Sequence, residues 1–143
     1  TELEGAIAAL RTDEAALERN ARVSYAGFHP ERPEITPVYL DALLRAIRRP
    51  TADVYDGYVD GELVGASTAD VYQGVTWFYG ASTLPHAQRR GLQRAFMLAR
   101  LAGARARGSD VVAVAGEETS PTIRNARRLG FRDSHQRLGW TKG

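Results

Sequence analysis

Two dipeptides, Asp60-Gly61 and Gln73-Gly74, constrain this chain more than any other feature. The runs "DVYDGYV" and "ELVGAST" flank the first; "ADVYQ" leads into the second and "VTWFYGAST" leaves it. These runs are rich in β-branched and aromatic residues, the composition of strands. A two-residue hairpin turn needs positive φ at its centre, which glycine supplies freely and aspartate tolerates. The middle of the chain therefore reads as consecutive antiparallel strands joined by tight turns.

Helical patterns lie on either side. "GAIAALRT" reads as a short strand, and "TDEAALERNARVSYAGF" as a helix that Thr12 or Asp13 can cap. The acids Asp13 and Glu14 suit its first turn, and Ala16, Leu17, Ala21 and residues 23–25 form its apolar stripe. "FHPERPEITP" is a proline-broken loop. Thr36 then caps a second helix with Pro37 at its first position, apolar Tyr39, Leu40, Leu43, Leu44 and Ile47 on one face, and Pro50 as its stop. Beyond the hairpins, a helical repeat runs from Arg89 to about Arg107 through Leu92, Ala95, Phe96, Ala99, Leu101 and Ala102, and Gly108 ends it. "DVVAVAGE" is an apolar run suited to a buried strand. "SPTIRNARRLG" is a short helix capped by Ser120 with Pro121 following, and "FRDSHQRLGWT" reads as a last strand. The order is β-α-α-β-β-β-α-β-α-β. Its strand-helix-strand crossover makes two strands parallel, so the sheet is mixed.

The composition narrows the function. A chain of 143 residues fits one domain over residues 1–143, alone or within a longer protein. It has no cysteine, which excludes disulfides, thiolate metal sites and a cysteine nucleophile, and its three histidines have no metal-site spacing. A net charge of +2 with interspersed acids argues against nucleic acid as a partner. No apolar run approaches the ~20 residues of a membrane span and no signal-peptide pattern opens the chain, so a cytoplasmic location is expected.

The stretch "TLPHAQRRGLQRAF" spans the junction between a strand and the long helix. A helix N-terminus exposes unpaired N–H groups and the positive end of the dipole, which suits a phosphate. Gly91 lets backbone approach such a group closely, Arg89 and Arg90 add charge, and Gln88 adds a neutral donor. A solvated basic turn is the other reading of the same residues. Neither Gly-x-x-x-x-Gly-Lys nor Gly-x-Gly-x-x-Gly occurs.

The element order, with Gln88-Arg89-Arg90-Gly91-Leu92-Gln93 at this junction, resembles the GNAT superfamily of acyl-CoA-dependent N-acyltransferases. That family's signature is Gln/Arg-x-x-Gly-x-Gly/Ala led by Val-x-Pro; here Thr83-Leu84-Pro85 leads, and Gln93 departs at the final position. Residues 119–131, ending in Gly130-Phe131, are similar to the family's second cofactor segment. The resemblance implies an α/β fold: a single-domain, mixed, mostly antiparallel sheet flanked by helices. It implies acetyl-CoA as co-substrate, bound by Thr83, Leu84, Gln88, Arg89, Arg90, Gly91, Leu92 and Gln93; Asn125 reads either as a further cofactor contact or as a plain surface asparagine, and the composition leaves no metal site expected. It further implies a bulge in the strand before the turn, with Gly80 as candidate, and a splay between residues 79–83 and "DVVAVAGE" that takes the pantetheine arm. The backbone N–H near Leu84 would polarise the thioester carbonyl.

Attack requires a neutral amine, so a base must take a proton, and an acid can serve the departing thiolate. Relatives often use a strand glutamate and a tyrosine four residues before the Gly-Phe glycine. That position is Ala126, so the tyrosine is absent, and Thr119 stands where many relatives carry asparagine. The candidates are Glu117, Glu118 and Tyr79. His86 and His29 read equally well as ordinary loop residues, and packing accounts for Trp77 and Phe78. The expected function is transfer of an acetyl group from acetyl-CoA to a primary amine, on a small molecule or peptide, by direct attack in a ternary complex. The alternative is a non-catalytic CoA-binding module of a larger protein. "FHPERPEITP" and the strand ends would build the acceptor pocket; a membrane partner is not expected, and a homodimer is left open.

Overall fold

The computed structural model describes residues 6–142. The elements run β1 (Ala6–Arg11), α1 (Leu17–Phe28), α2 (Pro37–Ile47), β2 (Ala52–Val59), β3 (Glu62–Tyr72), β4 (Val75–Thr83), α3 (Leu92–Ala106), β5 (Val111–Val114) and α4 (Pro121–Arg128). The strands form one sheet in the order β1-β2-β3-β4-β5, antiparallel throughout except for the parallel pair β4 and β5. Gly5, read as the start of the first strand, lies outside the described residues.

Local chemistry accounts for the element ends. Asp60 and Gly61 take φ of 51° and 79°, and Gln73 and Gly74 take 49° and 78°. Paired positive values give the hairpin turn whose twist matches that of the strands. Asp13 accepts the N–H of Ala16 at 2.9 Å and leads through a 3₁₀ turn into α1. Thr36 caps α2 through the N–H of Tyr39 at 3.3 Å, and Ser120 caps α4 through that of Ile123 at 3.3 Å.

Alternation along β2 divides the core between two faces. Val54 packs with Leu17 and Ala21 of α1 and Leu44 and Ile47 of α2, whereas Tyr55 packs with Leu92 and Phe96 of α3. Helix α4 joins the second face through Ala126, which packs with Phe78 and Met97. Thus α1 and α2 cover one side and α3 and α4 the other. A buried polar group locks the first side: the carboxylate of Asp56 accepts from Asn20 Nδ2 at 2.8 Å, from the Tyr58 hydroxyl at 3.2 Å and from the Arg11 guanidinium.

Two expectations need correction. The last strand does not form: residues 131–142 carry no strand pairing, and Leu138 and Trp140 are 84% and 90% exposed. Only Phe131 reaches the core, against Phe78, while residues 132–137 are polar and offer no apolar alternation to bury. The run "DVVAVAGE" supplies only the four residues of β5, with Val111 exposed, because β5 is the edge of the sheet. Among the described residues, no helix is long and apolar enough to cross a membrane.

Asp56→Ala would strand Asn20 and the half-buried Arg11 without their shared acceptor. Urea unfolding is expected to show a loss of about 3 kcal/mol; a loss under about 1 kcal/mol would contradict this account of the network.

Candidate active site

The parallel ladder between β4 and β5 is short. It registers Val75 with Val111 and continues only as far as Phe78 with Val114. Beyond that rung β4 runs on to Thr83, while the other chain leaves as the loop of residues 115–120. The cause lies in β4. Its pairing with β3 passes from Thr68 opposite Tyr79 to Ala66 opposite Ser82, so residues 80 and 81 together face Ser67. Gly80 absorbs this bulge with φ of 64°, a left-handed backbone that glycine adopts without strain. The bulge bends β4 where its partner ends, and the sheet opens there.

After the bulge, β4 returns to register, and the N–H of Leu84 donates to the carbonyl of Val64 at 2.8 Å. That amide is committed to the sheet. Alternation along an antiparallel strand turns the neighbouring N–H of Thr83 to the opposite edge, the side left open by β5. The amide near Leu84 that can face the opening is therefore that of Thr83.

The junction beyond is built around Gly91, the residue before α3, at φ of 83° and with no side-chain cap. Ala95 donates to the Gly91 carbonyl at 3.0 Å, so the N–H groups of Leu92, Gln93 and Arg94 point out of the helix end. Arg89 is also left-handed, with φ of 60°. The two arginines differ in company. Arg90 pairs with Asp60 on the β2–β3 turn at 2.8 Å, whereas Arg89 is exposed with no carboxylate partner among the described residues. The two glutamines converge on one residue: Gln88 Nε2 donates to the Thr83 carbonyl and Gln93 Nε2 to Thr83 Oγ1, each at 3.3 Å. Gln93, where the signature has a small residue, thus turns aside from the helix axis and ties α3 to the end of β4.

The three proton-transfer candidates border the opening on both sides. Tyr79 is the first β4 residue past the last rung, and Glu117 and Glu118 are exposed on the loop after β5. Tyr79 is half-buried, and its hydroxyl accepts from Arg49 Nη2 at 3.3 Å; Arg49 also pairs with Asp70. Burial pushes the Tyr79 phenol above its ordinary value, and the Arg49 hydrogen bond pulls it partly back. Asn125 is half-buried on α4. Ala126, where the resemblance implies a tyrosine, is 2% exposed and packs in the core with Phe78 and Met97. His86 is exposed, 3.4 Å from Glu62, and His29 stacks on Tyr25 with ring centroids 4.1 Å apart.

Sequence reasoning missed two arginines. Arg49 reads only as a helix end before Pro50, and nothing local announces its reach to Tyr79. Arg100 is 1% exposed on the sheet side of α3, its guanidinium 4.6 Å from the ring centre of Phe78, the last β4 residue still paired with β5. Burial draws its pKa down to about 10, so it remains a cation at neutral pH. The apolar spacing of α3 hides it, because it occupies a core position of the helical stripe.

An open cavity of about 350 Å³ adjoins this end of β4. Val23 and Ala26 of α1, Pro33 and Ile35 of the following loop, and Leu84 form its walls, with Arg22 and Glu34 as its charged residues. Helix α1 is fixed beside it by Ser82 Oγ, which donates to the Ser24 carbonyl at 2.9 Å. Among the described residues, no group of three or more His, Cys, Asp or Glu could hold a metal ion.

No protein-family model matches the chain, and no curated protein matches it by sequence. Solved structures do match it. An aminoglycoside acetyltransferase from an uncultured soil metagenomic sample, in complex with sisomicin, superposes with a TM-score of 0.75 at 15% identity, over 98% of this chain and 97% of that one. An acetyltransferase of Trypanosoma brucei gives 0.70 at 18% identity, over 96% and 99%. AAC(6')-Iy, in complex with the bisubstrate analog CoA-S-monomethyl-acetylneamine, gives 0.68 at 17%, over 96% and 98%. The fold of this chain is the GNAT fold of acetyltransferases.

The Tyr79 environment makes a titration prediction. Arg49 lowers the phenol's pKa by donating to its oxygen, so Arg49→Ala should raise it further. Ultraviolet difference titration of the parent chain against Tyr79→Phe should place the lost transition above that of an ordinary tyrosine, and higher still in the Arg49→Ala background. A midpoint at or below the ordinary value contradicts the burial described.

Proposed function

We propose that this protein transfers an acetyl group from acetyl-CoA to a primary amine. The observation that carries the reading is the opening between β4 and β5, flanked by an uncapped helix start. The pantetheine arm would lie beside residues 80–83, as an added strand does against a free edge. The N–H groups of Leu92, Gln93 and Arg94 would hold the diphosphate, with the backbone at Gly91 allowing close approach and Arg89 adding charge. Gln88 and Gln93 would act through Thr83, holding the turn in place, and Asn125 would meet the cofactor from α4. The fit is supported by Gly91 itself, whose left-handed backbone leaves the helix end bare where a side chain would stand.

Acetyl-CoA supplies the activated carbonyl. The Thr83 N–H would stabilise the negative charge that gathers on the thioester oxygen as the amine nitrogen attacks. The C–N bond forms and the C–S bond breaks; an ammonium acceptor gives up two protons in all, one before attack and one from the new amide. One returns to the departing sulfur as thiol and one is released to solvent. Glu117 or Glu118 would take the first proton, directly or through water, and Tyr79, protonated at neutral pH, would be the donor to sulfur. Holding both substrates in one cleft supplies much of the acceleration. Burial of Ala126 in the core, where relatives place the acid, makes a CoA-binding module without turnover the competing reading; free-thiol release with an amine panel separates the two.

Gly91→Val would introduce a β-branched side chain at positive φ and cover the helix end. CoA affinity by calorimetry should fall at least tenfold with the circular dichroism spectrum unchanged; unaltered affinity would contradict the diphosphate site. Glu117→Gln and Glu118→Gln, tested separately, should include one that lowers kcat on the order of a hundredfold at unchanged CoA affinity. If neither does, the base is elsewhere.

A further inference from the structure

The cavity beside Leu84 bears on a question the transfer reading leaves open, the kind of amine accepted. We infer that the acceptor is a monoamine carried on an alkyl or aryl body, seated in this cavity, and not a polycation. The inference rests on the acetyl-transfer reading, since it assigns the acceptor side of that same site.

Position comes first. Leu84 lines the cavity and is the chain neighbour of Thr83, whose N–H faces the opening, so an amine lodged there lies next to the carbonyl it must attack. The Ser82–Ser24 hydrogen bond holds the α1 wall against β4, and Pro33 stiffens the loop wall. Wall chemistry comes second. Val23, Ala26, Ile35 and Leu84 present aliphatic surface, which binds by excluding water and favours a substrate with apolar surface to bury. Charge comes third. Glu34 contributes one carboxylate and Arg22 one guanidinium, the latter held by Glu18 at 2.7 Å and 3.1 Å. One carboxylate can hold one ammonium. Within the cavity a second or third ammonium would meet only apolar walls or Arg22, so it gains nothing there over staying in solvent at the open mouth.

The experiment follows free-thiol release from acetyl-CoA with propylamine, hexylamine, phenethylamine, spermidine and sisomicin. The expected result is a kcat/KM for hexylamine and phenethylamine at least tenfold above that for spermidine and sisomicin. Along the alkyl series it should rise by about fourfold or less per buried methylene. Ile35→Ser and Glu34→Gln should each raise KM for phenethylamine at least fivefold and leave KM for acetyl-CoA unchanged. Spermidine or sisomicin turning over as fast as the apolar amines overturns the acceptor class and leaves acetyl transfer standing. Turnover of none of the five amines by a chain that binds acetyl-CoA in calorimetry overturns the acceptor class as well and favours the CoA-binding module over transfer. Unchanged amine KM in both variants overturns the cavity as the acceptor seat, and failure of acetyl-CoA to bind overturns the transfer reading with it.

Discussion

Phe78 and Val114 form the last rung on which β4 and β5 run side by side, and the rest of the site depends on that rung being the last. Were the ladder to continue, the edge amides of residues 79–83 would be spent on a neighbouring strand and unable to meet a ligand. The extra residue absorbed at Gly80 prevents this. It bends β4 within a sheet otherwise held by regular antiparallel pairing on the β3 side, so the opening is local and the scaffold stays intact.

The surrounding packing fixes the β4 side of this opening. On one face, α3 is seated by Leu92 and Phe96, which places its bare N-terminus beyond the end of β4. Gln88 and Gln93 converge on Thr83 and fix the turn between them. Arg100 lies over Phe78 at the base of the gap, where a desolvated cation on an aromatic face favours one arrangement of α3 on β4. On the other face, α1 reaches the same strand end through Ser82 and carries the cavity wall. The two faces therefore meet the opening from opposite sides, which suits a reaction that brings two substrates to one carbonyl.

Much of this was legible in the sequence, for local reasons. Asp60-Gly61 and Gln73-Gly74 force positive φ and so set the meander; Asp13, Thr36 and Ser120 cap as short polar side chains do before a helix. Gly80 and Gly91 could be singled out because a bulge and a bare helix start each need a backbone that other residues resist. Long-range geometry was not legible. Nothing near Arg49 announces its bond to Tyr79, nothing in Arg89-Arg90 reveals that Asp60 claims one of them, and the commitment of the Leu84 amide to Val64 depends on register. The last strand was misread because "FRDSHQRLGWT" has strand-like residues at its ends but no apolar alternation between them. Ala126 shows how far spacing reaches: counting back from Gly130 singles it out, and only packing reveals that it belongs to the core.

A crystal structure of the chain with bound CoA tests the central claim most directly. The account predicts the pantetheine arm between residues 80–83 and the loop that follows β5, with the diphosphate on the N–H groups of Leu92, Gln93 and Arg94. CoA bound elsewhere, or β4 and β5 paired past Phe78 and Val114, would contradict it.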